Sequence, residues 1–291
     1  HVVPLLDNLS DPYPYVACLV ADGDRMGRTI SKLASAERHH NFSRNIAGFA
    51  GEARKIVEQD HRGSLVYAGG DDVLAFVPLP EALSCADGLR RRFSEMIACA
   101  CRELPEADRP TLSVGIGVGH VMEGMGDLLA LGRQAEKAAK QGTAGGQGRN
   151  ALAILVDKRS GGTYCWRARW DEWGGDPVAR LQADAEILSG RLSSRKVYEI
   201  ARTLARLPEP SDVVDSGWAR VLALEVERCL SRVHGGESSI EPSEVGLSLK
   251  QDAGYQAIHA EVSSWVERML VARTFAAATP RLRGRVKEAV V

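Results

Sequence analysis

Asp22 and Asp24 with Gly23 between them, and the run Gly69-Gly70-Asp71-Asp72, are the residues whose types and spacing suit chemistry in this chain of 291 residues. Two acidic edges of this kind suit phosphoryl transfer. That reaction needs negative charge neutralised on the phosphates and on the attacking oxygen. Divalent ions held by carboxylates do this, and Mg²⁺ takes a few carboxylates plus substrate oxygens rather than a full protein cage. Side chains alternate along an extended strand, so Asp71 and Asp72 point opposite ways and one of them is the main ligand on a given face. Asp71, next to the glycines, is the first choice, with Asp72 as a second ligand or a support for the turn. Gly69 and Gly70 have no side chains and let a nucleotide's base or sugar lie close to the backbone. Lys140 ends a helix near the same edge, where it either pairs with a triphosphate or satisfies the helix C-terminus.

Taken singly, each feature has a plainer reading. Acids at turns cap helices, and Asp24 alone reads as a cap. A lone Gly-Gly-Asp-Asp reads as a solvated hairpin tip. Arg90-Arg91-Arg92 reads as a solvated helix face, and Met26, Met122 and Met125 as packing. His39, His40, His61 and His120 show no metal spacing. The acids stand out because two acidic edges and a closing lysine occur together, in a consistent order of elements.

Those elements follow from the apolar pattern. Residues 15–21 form a continuous apolar run, a buried strand that ends in the acidic turn at Asp22. A helical stretch follows from about Met26. A longer one covers 42–59, with Phe42, Ile46, Phe49, Ala53, Ile56 and Val57 on one face. Strand-like runs at 64–68 and 73–77 flank the two glycines and make a hairpin. A helix spans about 81–102, carrying the three arginines on its outer face. Residues 112–118 are a strand with glycine at alternate positions, as where another backbone or a ligand comes close. A helix over 127–141 buries Leu128, Leu131 and Ala135, and a glycine-rich loop, 142–148, leads to a strand at 151–156. This order predicts an α+β sandwich, ferredoxin-like, with its helices on one sheet face.

Past Trp173 the texture changes. Residues 177–207, 215–233 and 253–278 show helical periodicity, with breaks at Pro208-Glu-Pro and at 235–246. No Trp precedes Trp166, a first hint of a boundary. The expected organisation is a linker over 1–14, an α+β domain over 15–173 and an all-helical domain over 177–291. The chain opens on a Pro-rich stretch without Met and reads as a piece of a longer protein.

Composition sets limits. Hydrophobic residues make up 44% and charged residues 26%, enough for a packed core. The net charge of −1 gives no general field for nucleic acid, so any such contact must come from local patches or partner subunits. The six Cys are scattered without a CxxC pair and read as reduced thiols of a cytoplasmic protein. No run approaches the length of a membrane span.

Residues 19–27 (LVADGDRMG), 67–76 (YAGGDDVLAF), 112–118 (LSVGIGV) and 148–153 (GRNALA) resemble, in that order, the large polymerase-like palm subunit of type III CRISPR effector complexes, above all the III-B (Cmr-type) branch. Residues 192–198 resemble that family's helical tail less distinctively. The resemblance implies a nucleotidyltransferase palm that makes cyclic oligoadenylate from ATP with Mg²⁺ or Mn²⁺ when the complex binds target RNA. It implies partners as well: the other effector subunits, and crRNA and target RNA through the complex. Asp22 and Asp71 would then be metal ligands, with Asp72 beside them and the Gly23 backbone assisting. Lys140 falls where related GGDEF cyclases place a phosphate-binding lysine. The family also carries an HD nuclease domain and a first palm, which lie outside this sequence. The first palm supplies part of the nucleotide pocket, so the fragment alone is expected to be impaired.

Two rivals differ in testable ways. A diguanylate cyclase would carry Phe where Val73 follows Asp72, and an RxxD site upstream of the hairpin, which Arg62-Gly-Ser-Leu does not provide. A catalytically silent scaffold would have lost the carboxylates, and this chain keeps them.

Overall fold

The computed structural model describes residues 13–142, 148–159, 162–213, 217–232 and 239–278. Most of the 1–14 linker, the middle of the 142–148 loop and the first part of the 235–246 break lie outside them. In order, the chain forms β1 (Tyr15–Asp24), α1 (Met26–Ser31), α2 (Ala36–Arg54), β2 (Ser64–Gly69), β3 (Asp72–Pro78), α3 (Ala82–Ala100), β4 (Thr111–His120), α4 (Met125–Lys140), β5 (Ala151–Asp157) and β6 (Thr163–Arg169). Four helices follow: α5 (Pro177–Gly190), α6 (Ser194–Leu204), α7 (Gly217–Ser231) and α8 (Tyr255–Ala278). The strands make one mixed sheet in the order β2-β3-β1-β4-β5-β6, antiparallel except between β4 and β5. This is an α+β fold.

Helices cover both faces of the sheet, which corrects the one-face expectation. On one face, Ala17, Leu19 and Ala21 of β1 and Val114, Ile116 and Val118 of β4 pack with Phe42 and Phe49 of α2 and Leu89 and Phe93 of α3. Phe49 and Phe93 meet edge to face at 5.1 Å. Each such ring buried from water contributes about 1.5–3 kcal/mol. The other face is taken by α4, and the alternating glycines of β4 explain how. A Cβ on Gly117 would stand 2.6 Å from the Leu131 carbonyl carbon, and one on Gly132 would stand 2.7 Å from Cys18 Sγ. The backbone that comes close to β4 is therefore that of α4, and the small residues let it sit directly on the strands.

The strand β6 had no counterpart in the sequence reading. It pairs with β5 from Ala151↔Arg169 to Asp157↔Thr163. Trp166 and Trp170 are buried in the sheet core, and the Trp170 indole donates to the Leu112 carbonyl at 2.9 Å. The first tryptophans thus belong to the sheet and do not mark a boundary.

The helices from Pro177 onward serve two cores. Val178 and Leu181 of α5 and Val271, Ala272 and Phe275 of α8 pack into the core of the sheet. The first half of α8, with α6, α7 and residues 240–249, builds a second core around Trp265 and Leu222. A buried ionic hub ties them together. Asp184 of α5 accepts from Arg180 and from Arg268 of α8, both at 2.6 Å, and Arg268 also donates to the Val245 carbonyl. The three arginines of α3 are not merely solvated. Arg90 and Arg91 pair with Asp87, Arg90 lies over the Trp170 ring, Arg91 reaches Asp176 at 3.8 Å and Arg92 pairs with Glu52. Among the described residues no helix is long and apolar enough to cross a membrane.

Candidate active site

The acidic edges meet because β1 lies between β3 and β4. The β1–β3 register runs to Ala21↔Val73, and its next step sets Asp22 opposite Asp72. Both share the face of Cys18 and Val20, the side covered by α4. Asp71 lies on the other side, against Gly23, where a Cβ would stand 2.8 Å from the Asp71 Cβ. A glycine at position 23 is what admits that carboxylate. The tight hairpin rests on Gly70, whose φ of 67° is left-handed. The space over Gly69 is taken by the Tyr67 phenol.

Beneath α4, Lys140 forms an ion pair with Asp22 and a second with Glu136 at 3.0 Å. A groove of about 580 Å³ opens beside them, lined by Asp22, Asp72, Tyr67, Arg133, Glu136 and Lys137 among others. The sequence reading missed Glu136, Arg133, Lys137 and Tyr67. The signal for the first three was available, since 133, 136, 137 and 140 recur at helical spacing on one side of α4.

Burial pushes the Asp71 carboxyl above its ordinary range, and the Asp72 charge adds to this against a backbone hydrogen bond that lowers it. Burial raises Asp72 too. Glu136 is raised by burial and then by the charges of Asp24 and Asp72. Burial, then the Arg149 charge, lowers Lys140.

Asp24 is not a cap, and although it lies on the Asp22 face of β1 its carboxylate is turned to β4. It is fully buried and accepts from Thr111 Oγ1 at 2.7 Å, Ser113 Oγ at 2.8 Å and the Asn150 amide at 2.9 Å. It fastens β1 to β4 and to the turn before β5. The helix α1 that follows has Arg25, not Asp24, at its N-cap. Of the three methionines, Met26 packs on the core while Met122 and Met125 are exposed.

Among the described residues no group of three His, Cys, Asp or Glu is close enough to cage a metal. Two facing carboxylates beside an open groove instead fit an ion that draws its remaining ligands from substrate oxygens and water.

Comparison with known proteins finds relatives of the same fold. The family described as Cas10/Cmr2, second palm domain, matches residues 15–153. The CRISPR system Cmr subunit Cmr2 of Pyrococcus furiosus is 27% identical over 233 residues, 69% of this chain and 25% of that protein. Among solved structures, Csm1 of T. onnurineus aligns with a TM-score of 0.57 at 19% identity, over 90% of this chain and 38% of that one. A Csm1–Csm4 cassette in complex with pppApApA aligns at 0.55 and 17% identity, over 91% and 37%. The chain thus spans a quarter of the curated relative and under two fifths of the solved ones. Motif order, sheet topology and these matches together liken the chain to the Cas10-like large subunits of type III CRISPR systems, with residues 15–153 matching their second palm domain.

Proposed function

We propose that this palm is the nucleotidyl-transfer half-site of a type III effector complex, joining ATP into cyclic oligoadenylate when that complex holds its target RNA. The observation that carries the reading is that Asp22 and Asp72 line one groove just beyond the end of the β1–β3 ladder, with Glu136 of α4 beside them and Lys140 paired to both Asp22 and Glu136. These two carboxylates would hold Mg²⁺ or Mn²⁺, which neutralises charge on the phosphates and on the attacking oxygen. Asp71 sits behind them against Gly23, where it sets the hairpin and adds negative potential.

Each remaining residue has a role that follows from its position. Lys140 is within the same cluster and would neutralise a triphosphate once one lies in the groove. Arg133 and Lys137, exposed on the groove wall, offer further positive charge to the distal phosphates. Glu136 orients Lys140 through their 3.0 Å pair. The Tyr67 ring, lying over Gly69, forms the wall against which base and sugar would rest, and Gly70 sets the hairpin turn behind it. Solved Csm1–Csm4 cassettes in complex with pppApApA, cA3 and cA4 support oligoadenylate as the product class.

The reaction joins two nucleotides, and a groove of this size on one palm suits one of them. The other would be held by the first palm of the longer protein, and the remaining effector subunits, crRNA and target RNA would act through the assembled complex. Calorimetric titration with ATP and GTP in Mg²⁺ or Mn²⁺ tests the reading. Metal-dependent binding that favours ATP is expected, and a preference for GTP would point to a cyclase of the diguanylate kind.

A further inference from the structure

A second groove, of about 1020 Å³ and rich in cations, lies away from the palm site between α6 and α7. Its cations are Arg195, Lys196, Arg202, Arg206, Arg228 and Arg232. Two acids share the lining, and both are taken: Glu225 pairs with Arg228 at 2.7 Å and Glu199 with Arg232 at 3.2 Å. Lys196 is buried and its ammonium donates to the Leu230 carbonyl at 3.0 Å, so it belongs to the floor. Arg195, Arg202 and Arg206 remain exposed and make no ion pair among the described residues.

Their spacing is as informative as their charge. Positions seven and eleven residues apart return to nearly the same side of a helix. The three guanidiniums therefore form a single stripe about 16 Å long, at about 1.5 Å per residue, running from α6 into its closing turn. In a chain of net charge −1 such a stripe is a local departure from the average surface.

We infer that this groove binds the sugar–phosphate backbone of a single-stranded nucleic acid. Guanidinium groups match phosphate oxygens through paired N–H donors, and a row of them suits a repeating polyanion. An acidic protein surface is the other polyanion to consider. Stable protein interfaces centre on apolar anchors with charge depleted, and this groove offers only the half-buried Tyr198 and Leu207 and the buried Cys229. Nucleic-acid interfaces are strongly positive, as this groove is, with six cations against two acids. The inference is independent of the palm site, and its failure would leave that reading intact.

The test is fluorescence anisotropy of the 291-residue chain with oligouridylate and oligothymidylate, each about 20 nucleotides long, across a salt series. The triple variant Arg195→Gln, Arg202→Gln, Arg206→Gln is compared with a charge-matched control on and just after α2, Arg44→Gln, Arg54→Gln, Lys55→Gln. Thermal melts confirm that both variants fold. The expected result is about tenfold weaker binding by the groove variant alone, with the slope of log K against log salt reduced by about 2, near 0.7 per lost phosphate contact. Preference for one oligomer over the other would say whether RNA or DNA is the natural strand. Equal weakening in the control, or none in either variant, would overturn the inference. So would displacement of the strand by polyglutamate at the same charge concentration as by unlabelled strand.

Discussion

At the scale of single residues, the site turns on which of two neighbouring aspartates faces Asp22. Spacing alone left Asp71 as first choice because it adjoins the glycines. The register puts Asp72 opposite Asp22, and Asp71 behind them on Gly23. That assignment depends on strand register, and register is set by packing on both sheet faces, which a tetrapeptide does not encode. Asp24 is a similar case: its partners Thr111, Ser113 and Asn150 are far away in sequence, so only the fold turns it from a presumed cap into a buried clasp. A stability prediction follows for Asp72. Burial raises its folded pKa, so its protonated form suits the fold and its stabilising effect is complete only below the unfolded value, about 4. It is lost as pH rises through the folded pKa, and at pH 7 the ionised group costs stability. Asp72 is largely exposed, so solvent screens most of this cost; Asp72→Asn should raise the melting temperature at pH 7 only slightly, and the gain should shrink as pH falls toward 4. A gain that grows on acidification would contradict the account.

The next scale is that of the elements, most of which were legible from the apolar pattern. The buried first strand, the hairpin, and the faces of α2 and α4 follow from residue spacing, because period-2 and period-3.6 burial leave different marks. The placement of α4 on the opposite face was less legible, since alternating glycines announce a close approach without naming what approaches. The structure names the α4 backbone, and this predicts the effect of filling the gap. Gly117→Ala would drive a methyl group into the backbone at Leu131 and Gly132. Overpacking of this kind should cost about 2–3 kcal/mol, measurable by urea unfolding. It should also weaken nucleotide binding, because α4 carries Lys140. The same substitution at Gly126, whose Cβ would meet nothing within 4 Å, should leave both unchanged. The strand β6 escaped the sequence reading because it is short, ends on Arg167-Ala-Arg169 and lies next to a change in composition.

Over the whole molecule, the apolar pattern indicated an α+β part followed by helices, and we propose 15–173 and 177–291 as those two parts. The packing joins them more closely than that division suggests, since α5 and the end of α8 help build the core of the sheet. The buried hub of Asp184, Arg180 and Arg268 stands at that junction. Removing the carboxylate would strand Arg268, which is almost wholly buried. Asp184→Ala should then cost about 3–5 kcal/mol, and one cooperative transition should divide into two if the palm and the helical core separate. A variant that still melts in a single step at the wild-type temperature would show the hub to be dispensable. The net charge of −1 concealed the arginine stripe of α6, because a sum over the chain carries no position.

The most direct test of the central claim is electron paramagnetic resonance of Mn²⁺ bound with a non-hydrolysable ATP analogue, comparing the wild-type chain with Asp22→Ala, Asp72→Ala and Asp71→Ala. If Asp22 and Asp72 form the ion-holding pair, each of those two substitutions abolishes the bound-Mn²⁺ signal, while Asp71→Ala keeps it at reduced affinity. Retention of the full signal in Asp72→Ala together with its loss in Asp71→Ala would contradict the account.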